Sequence, residues 1–469
     1  MNASCGGLPF DEQLEQARQC QEQGDPWQAS EHCRAVLSRD ENHAEALALL
    51  GQSLAAMGDL AGAGHNLNRA IETDPAQAMP YVHLGEVNLQ IGRTREALRC
   101  YQHAIQRQPD DVNILNSFAV VLWNMGKIDE ARALFRRAVD KEPDNPFTRR
   151  NFQLLNSRLV DRWHYAMVND AVRNQQFEGA LKRAIHPDSV VLDIGAGTGL
   201  LSMMAARAGA KQVIACEANP ALAALARDVI RDNGYSDRIQ VINKPSLQLD
   251  PDIDFPKHVR PNVLVAEVFD TMVIGEGALN TFAHARRYLL STEAVLIPRE
   301  AVLFGGLVES ERLWREGAAD RANGFDLNRL NDFRPDTLAL EAESFSGRLL
   351  AEEFPVFTFD LAGDRQTPAT SQLEIPITEK GICHALVFWI QLQLDDKASI
   401  DNRPAFDDTT EASTYCNHWY QAVKLLVPPV QAEPGMTLRI EARHNRQNVA
   451  VVIYDPETGK PLEDPGTSD

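Results

Sequence analysis

Three stretches with different periodicities predict three kinds of fold in one chain. They are an all-α helical solenoid, then a doubly wound α/β domain of Rossmann-like form, then an antiparallel β-barrel. A 34-residue repeat of glycines and alanines occupies the first third of the 469 residues. The pattern Asp193-x-Gly195-x-Gly197-x-Gly199, between an apolar run and a helical one, opens the second. Short strand-like runs separated by Gly, Pro and Asp fill the last third. Length alone suggests about three domains.

The composition narrows the class. Apolar residues at 44% and charged residues at 24% exclude wholesale disorder. No run of about 18 apolar residues exists to span a membrane, and no signal peptide is expected at Met1 to Phe10. The seven cysteines are odd in number and form no CxxC pair. That argues for reduced thiols and a cytoplasmic setting, against a disulfide framework or structural zinc. With 46 basic and 66 acidic side chains the formal charge is −20. Such a chain repels nucleic acid unless a local basic face exists, and it favours cationic partners.

In the first third, Gly24, Gly58, Gly92 and Gly126 recur every 34 residues. Ala29, Ala63, Ala97 and Ala131 follow in one register, and Pro75, Pro109 and Pro143 close the last three units. Glycine permits a turn between two helices, small residues let them approach, and proline ends the second. Residues 9–145 resemble an array of about four tetratricopeptide repeats. Such arrays bind peptides or proteins and rarely catalyse. The chain from Pro146, with the basic, polar stretch from Arg149 to Arg158, is expected to leave the array.

The second stretch, taken as 146–297, begins its sheet with Ser189 to Ile194. A strand, a glycine turn and a helix from Leu200 form the nucleotide-binding arrangement of a doubly wound sheet. The next strand ends in Glu217, placed to accept hydrogen bonds from both ribose hydroxyls. The turn lacks the third glycine of a dinucleotide fingerprint, and no phosphate loop occurs. A cofactor without phosphate needs neither. The form DxGxGxG with an acidic second strand end is similar to that of class I methyltransferases using S-adenosylmethionine.

After Asn262 to Ala266 comes Glu267-Val268-Phe269-Asp270-Thr271-Met272-Val273-Ile274-Gly275-Glu276-Gly277. Two glutamates facing across a loop suit a planar cation, since a guanidinium offers a fixed fork of donors. An acidic surface loop reads equally well from these residues alone. Upstream stands Trp163-His164-Tyr165-Ala166-Met167-Val168-Asn169-Asp170-Ala171-Val172-Arg173, and far downstream Asn417-His418-Trp419. With these three separated motifs the chain resembles the protein arginine methyltransferases over about residues 160 to 465. Repeats ahead of one such module look most like the family's type 9 members, and the wording of the loop is closer to type 7.

The resemblance implies roles. His164 and Met167 would line the cofactor pocket, and Arg173 would pair with the cofactor's methionine carboxylate. Asp193, Gly195, Gly197 and Glu217 would hold the adenosine moiety, with Ser246 near the adenine. Glu267 and Glu276 would clamp the substrate guanidinium. Asp170 and His418 would form a pair beside the reaction centre, and Trp419 would wall the arginine channel. The methyl of S-adenosylmethionine is already activated, so no metal is implied. Two departures stand out. Leu247 occupies the place of an acid that contacts the adenine amino group, and Asn417 replaces the commoner threonine.

From 298 to 465 seven short runs read as strands of a barrel, interrupted by a helical segment at 312–333. The family's dimerisation arm lies in the corresponding insertion, so a homodimer is among the assemblies the resemblance implies. Trp314 reads equally as an interface anchor or a core residue. Three functions compete. The first is methylation of arginine in protein substrates recruited by the repeats, and the second is methylation of a small guanidino compound. The third is an inactive scaffold. The repeats favour the first over the second, and the intact glutamate pair speaks against the third.

Overall fold

The computed structural model describes residues 9–257, 259–340, 347–363, 367–406 and 419–462. The chain divides into two compact units, Met1–Leu159 and Val160–Asp469. No helix among the described residues is long and apolar enough to cross a membrane.

The first unit is a series of antiparallel helix pairs: α1 Phe10–Glu22, α2 Pro26–Leu37, α3 Ala44–Ala56, α4 Leu60–Thr73, α5 Met79–Gln90, α6 Thr94–Arg107, α7 Val112–Asn124, α8 Ile128–Lys141 and α9 Pro146–Ser157. The four repeat glycines sit in the turns within each pair with φ of 74° to 86°, a region L side chains rarely enter. The alanines at 29, 63, 97 and 131 are fully buried. At the pair contact, a Cβ on Gly51 would lie 2.6 Å from Leu67 Cγ, and one on Gly85 2.9 Å from Tyr101 Cε2. The repeat is therefore a spacing rule, because those helices touch where no side chain fits.

One boundary is corrected. Residues 146–157, expected to lead into the α/β domain, form a further helix of the first unit. Asn145 caps it by accepting from Phe147 N and Thr148 N at 3.1 and 3.2 Å, with Pro146 at its first position. Leu155 is fully buried, and Phe152 packs on the cluster around Phe135. The basic residues that suggested a linker are its solvent face.

The second unit opens with α10 Trp163–Asn169 and α11 Ala171–Ala184. A parallel sheet follows, with β1 Val190–Ile194, β2 Gln212–Glu217, β3 Ile239–Asn243, β4 Val263–Ala266 and β5 Val295–Ile297 in the order β3-β2-β1-β4-β5. Helices α12 Leu200–Arg207, α13 Pro220–Asp232 and α14 Ala278–His284 complete the α/β fold. β1, β2 and β4 are buried almost throughout, as expected for strands covered on both faces.

All seven runs of the last third are strands: Glu300–Glu309, Phe354–Asp360, Ala369–Pro376, Gly381–Gln393, Gln421–Ala432, Thr437–His444 and Val449–Tyr454. The described strands form three antiparallel sheets, of seven, three and two strands, where a single barrel was expected. The 312–333 segment is also corrected. Only Glu311–Gly317 is α-helical, and a two-stranded hairpin at 321–326 and a 3-10 turn at 328–333 follow. Asn323 and Gly324, with φ of 51° and 86°, make the hairpin turn, and Asn-Gly is a strong signal for one. Leu313 fills the core there, while Trp314 is half-buried.

Candidate functional site

The site is assembled by strand register. Ile194 pairs with Cys216 on one side and with Ala266 on the other. The next residues of the three strands, Gly195, Glu217 and Glu267, therefore stand side by side at the carboxyl edge. The order of the sheet reverses between β1 and β4, which opens the crevice where such folds bind ligands.

Backbone geometry shapes this crevice. Gly195 and Gly197 have φ of 76° and 54°, and a Cβ on Gly195 would stand 2.8 Å from Val268 Cγ1. The turn after β1 thus passes against the start of the glutamate loop, so only glycine fits. Glu217 is buried and fixed by two backbone donors, Gly197 N to Oε2 at 2.8 Å and Asn219 N to Oε1 at 2.7 Å. Each of its oxygens retains acceptor capacity for a ligand hydroxyl.

Asp193 is fully buried beneath the turn. Ser202, in the first turn of α12, donates its hydroxyl to Oδ2 at 2.6 Å, while Oδ1 is buried with no partner among the described residues. Burial pushes this carboxyl up to about 7, against the opposing pull of the Ser202 hydrogen bond. The sequence reading missed Ser202. Its only signal is a hydroxyl among apolar residues at the start of α12.

The glutamate loop is anchored from within. Asp270 Oδ1 accepts from Met272 N at 3.2 Å and Gly275 N at 2.9 Å. A Cβ on Gly275 would lie 2.0 Å from Asp270 Oδ2, so the two residues are matched. Val273 is fully buried with φ of 76°, a strained conformation for a β-branched residue. Met272, Val273 and Ile274 hold it there by burial in the core. The loop is thus held in shape from within.

Glu267 is buried against Arg173, whose Nε donates to Oε2 at 2.8 Å and whose Nη2 contacts the same oxygen. Both side chains are at most 5% exposed, so neither charge is screened by water. Arg173 Nη1 donates to Asn174 Oδ1 at 2.7 Å, and Asp170 caps α11 by accepting from Arg173 N at 2.9 Å. Sequence reasoning assigned Arg173 and Glu267 to different ligands, whereas the fold joins them. Glu276 is exposed to water at the end of the loop. Lost hydration on its protein side, then the charges of Asp270 and Glu267, push its carboxyl up to about 7.

The other expected residues have settings of their own. His164 is buried on α10, its Nδ1 3.1 Å from Asp161 O and its ring stacked on Trp163 at 3.7 Å. Met167 is half-buried on the same helix. Ser246 begins a 3-10 turn after β3, and Leu247 beside it is 53% exposed. Trp419 is buried in the core that also holds the parallel sheet, and its carbonyl accepts from Asn402 Nδ2 at 3.5 Å. His418 and Asn417 lie outside the described residues.

The chemistry of this donor set fits S-adenosylmethionine. A buried carboxylate oxygen without a partner suits an ammonium. A carboxylate held by two N–H groups suits a ribose, and the glycine turn leaves room for backbone to approach a ligand.

Comparisons with known proteins bear on the family. A family model described as ribosomal protein L11 methyltransferase (PrmA) matches residues 179–275, and tetratricopeptide repeat models match 44–77 and 84–146. An arginine N(omega)-methyltransferase of Streptomyces achromogenes subsp. streptozoticus is 39% identical over 290 residues, covering 62% of this chain and 78% of that one. Protein arginine N-methyltransferase 7 of Oryza sativa subsp. indica is 33% identical over 61% of this chain and 44% of its own. Protein arginine N-methyltransferase 9 of Homo sapiens is 32% identical over 69% of this chain and 42% of its own. The chain spans less than half the length of these last two. A solved Trypanosoma brucei PRMT1 enzyme–prozyme heterotetrameric complex with AdoHcy shares the fold, with TM-score 0.53 and 22% identity over 64% of this chain and 94% of that one.

Proposed function

The chain belongs to the arginine N-methyltransferase family, and we propose that it transfers a methyl group from S-adenosylmethionine to a guanidino nitrogen of arginine in protein substrates. One observation carries this reading. At the switch point of the sheet, Glu267 and Glu276 bracket an internally anchored, strained loop and couple electrostatically, directly beside the cofactor-type glycine turn.

A substrate guanidinium is protonated at any working pH, because its pKa exceeds 12. Its nitrogens share one lone-pair system and are poor nucleophiles until charge is localised. Glu267 and Glu276 would take its N–H fork on one side and leave the opposite nitrogen aimed at the methyl donor. S-adenosylmethionine supplies an activated methyl on its sulfonium. Asp193 Oδ1 would accept from its ammonium and Glu217 from its ribose, with Gly195 and Gly197 beneath it and Ser246 at the adenine. His164 and Met167 would cover it from α10.

Arg173 already uses three of its five N–H groups on Glu267 and Asn174. The remaining two suffice for the cofactor's carboxylate, so one guanidinium would hold the cofactor and orient the clamp together. Asp170 and His418 are assigned the exit of the arginine proton, and Trp419 the wall of the substrate channel. The chemistry is positioning and electrostatics throughout.

The helical repeats would recruit the protein substrate or a partner. The five described cysteines, all free thiols, support a cytoplasmic setting. A second reading, methylation of free arginine, is favoured by the name of the Streptomyces relative. Labelled S-adenosylmethionine with the full chain, offered arginine-containing proteins, short peptides and free arginine in parallel, separates the two. Mass spectrometry should find methyl on protein arginines at far lower substrate concentration than on free arginine. The reverse order would establish the second reading, and no methyl on any of them would refute both.

A further inference from the structure

A cavity of about 1050 Å³ lies between the end of α14, the turn that continues it, and the 445–448 hairpin of the antiparallel region. Leu247, at the position beside the expected adenine site, lines one edge of it, and neither Glu267 nor Glu276 does. In a chain with 66 acidic against 46 basic side chains, its described lining holds Arg286, Arg287, Arg446 and His284 and no carboxylate. An acidic protein that gathers three guanidinium groups in one concavity has built a positive well in a negative field.

Two features separate this cluster from a merely solvated arginine face. Arg446 has φ of 76° at a hairpin tip where glycine or asparagine would sit without strain. Strain of this kind persists where the placement of a side chain is constrained. The Nε of Arg446 and the Nδ1 of His284 are also buried with no partner among the described residues. The Arg446 Nε–H calls for an acceptor that comes from elsewhere, and His284 Nδ1 can take either side of a hydrogen bond.

Tyr288 adds an aromatic face. It is 53% exposed, its ring lies 5.2 Å from that of His284, and the Arg287 guanidinium carbon stands 5.2 Å from its centroid. Guanidinium forks match phosphate oxygens, an exposed tyrosine offers a stacking surface, and the volume suits a cofactor-sized molecule better than a single inorganic ion.

We propose that this cavity is a second ligand site that binds a nucleoside phosphate, its phosphates held by Arg287 and Arg446 and its base against Tyr288. The helix forming one wall begins directly after Glu276 and Gly277, so the site adjoins the clamp through α14.

The test is calorimetric titration of the full chain with ATP in saturating S-adenosylhomocysteine, which keeps the cofactor site filled. One saturable site is expected. Arg287→Glu and Arg446→Gly should each weaken it at least about tenfold, as removal of a charged hydrogen-bonding group does. Arg446→Gly accommodates the backbone, so the thermal midpoint should hold or rise while ATP binding falls. Tyr288→Ala should weaken ATP and leave tripolyphosphate unchanged, which separates base from phosphate recognition. No saturable binding overturns the proposal. So does binding indifferent to Arg287→Glu and Arg446→Gly, or an ATP signal that S-adenosylhomocysteine abolishes.

Discussion

Glu276 stands near two other carboxylates, Asp270 and Glu267, and these raise its affinity for a proton beyond what lost hydration already does. It must be ionised to hold a guanidinium. The acid limb of kcat/KM, which reports the free enzyme, should therefore show activity rising through about pH 7. Asp270→Asn keeps the Oδ1 acceptor that anchors the loop and removes one negative neighbour, so the limb should move to lower pH. An unmoved limb would assign it to another group. The same proton has a stability consequence. The folded chain keeps it between the ordinary value of 4.5 and about 7, where the unfolded chain has lost it, so this contribution to stability declines as pH rises through that window. Glu276→Gln preserves size and removes charge. It should lower kcat at least about 100-fold with cofactor affinity nearly unchanged. Near-full activity in that variant would return the loop to an acidic surface feature.

At the scale of elements, the turn after β1 and the loop after β4 are built as one unit. Gly195→Ala would put a Cβ at positive φ and against Val268 Cγ1, 2.8 Å away. We expect a loss of about 1–3 kcal/mol in thermal or denaturant unfolding. Val268→Ala in the same chain should recover part of it, and strictly additive losses would show that the two segments do not press on each other. Glu217→Ala leaves the Gly197 and Asn219 N–H groups without their acceptor. S-adenosylmethionine affinity measured by calorimetry should fall by about 1–3 kcal/mol. That Asp193, Gly195 and Glu217 gather at one edge of the sheet was legible because they stand at or next to strand ends, and strand ends are visible as breaks in apolar runs. The roles of Ser202 and Asp270 were not. A single hydroxyl in a helix, or one more acid in an acidic loop, means something only once a partner 9 or 5 residues away is seen to reach it.

At the scale of the molecule, the two compact units allow recruitment to be separated from chemistry. A chain beginning at Val160 that melts cooperatively should methylate a high concentration of short arginine peptide at close to the full chain's rate. On a full-length protein substrate it should lose much of its activity. Equal loss on both would mean that the repeats support the catalytic unit instead of delivering substrate to it.

Local chemistry determined what repeats or alternates along the chain. The 34-residue period, the strand–glycine–helix turn and the seven late strands all follow from neighbours in sequence, so residue order alone exposes them. Even so, residues 146–157 were misread, because polar composition marks a solvent face as readily as a linker. Only the tertiary structure decided which charges meet. Arg173 and Glu267 stand 94 residues apart, and their ion pair exists because the fold brings α11, which carries Arg173, to the residue that follows β4. The strain at Val273 and the cationic cavity around Arg446 likewise depend on burial and on segments more than 150 residues apart. No periodicity records such distances.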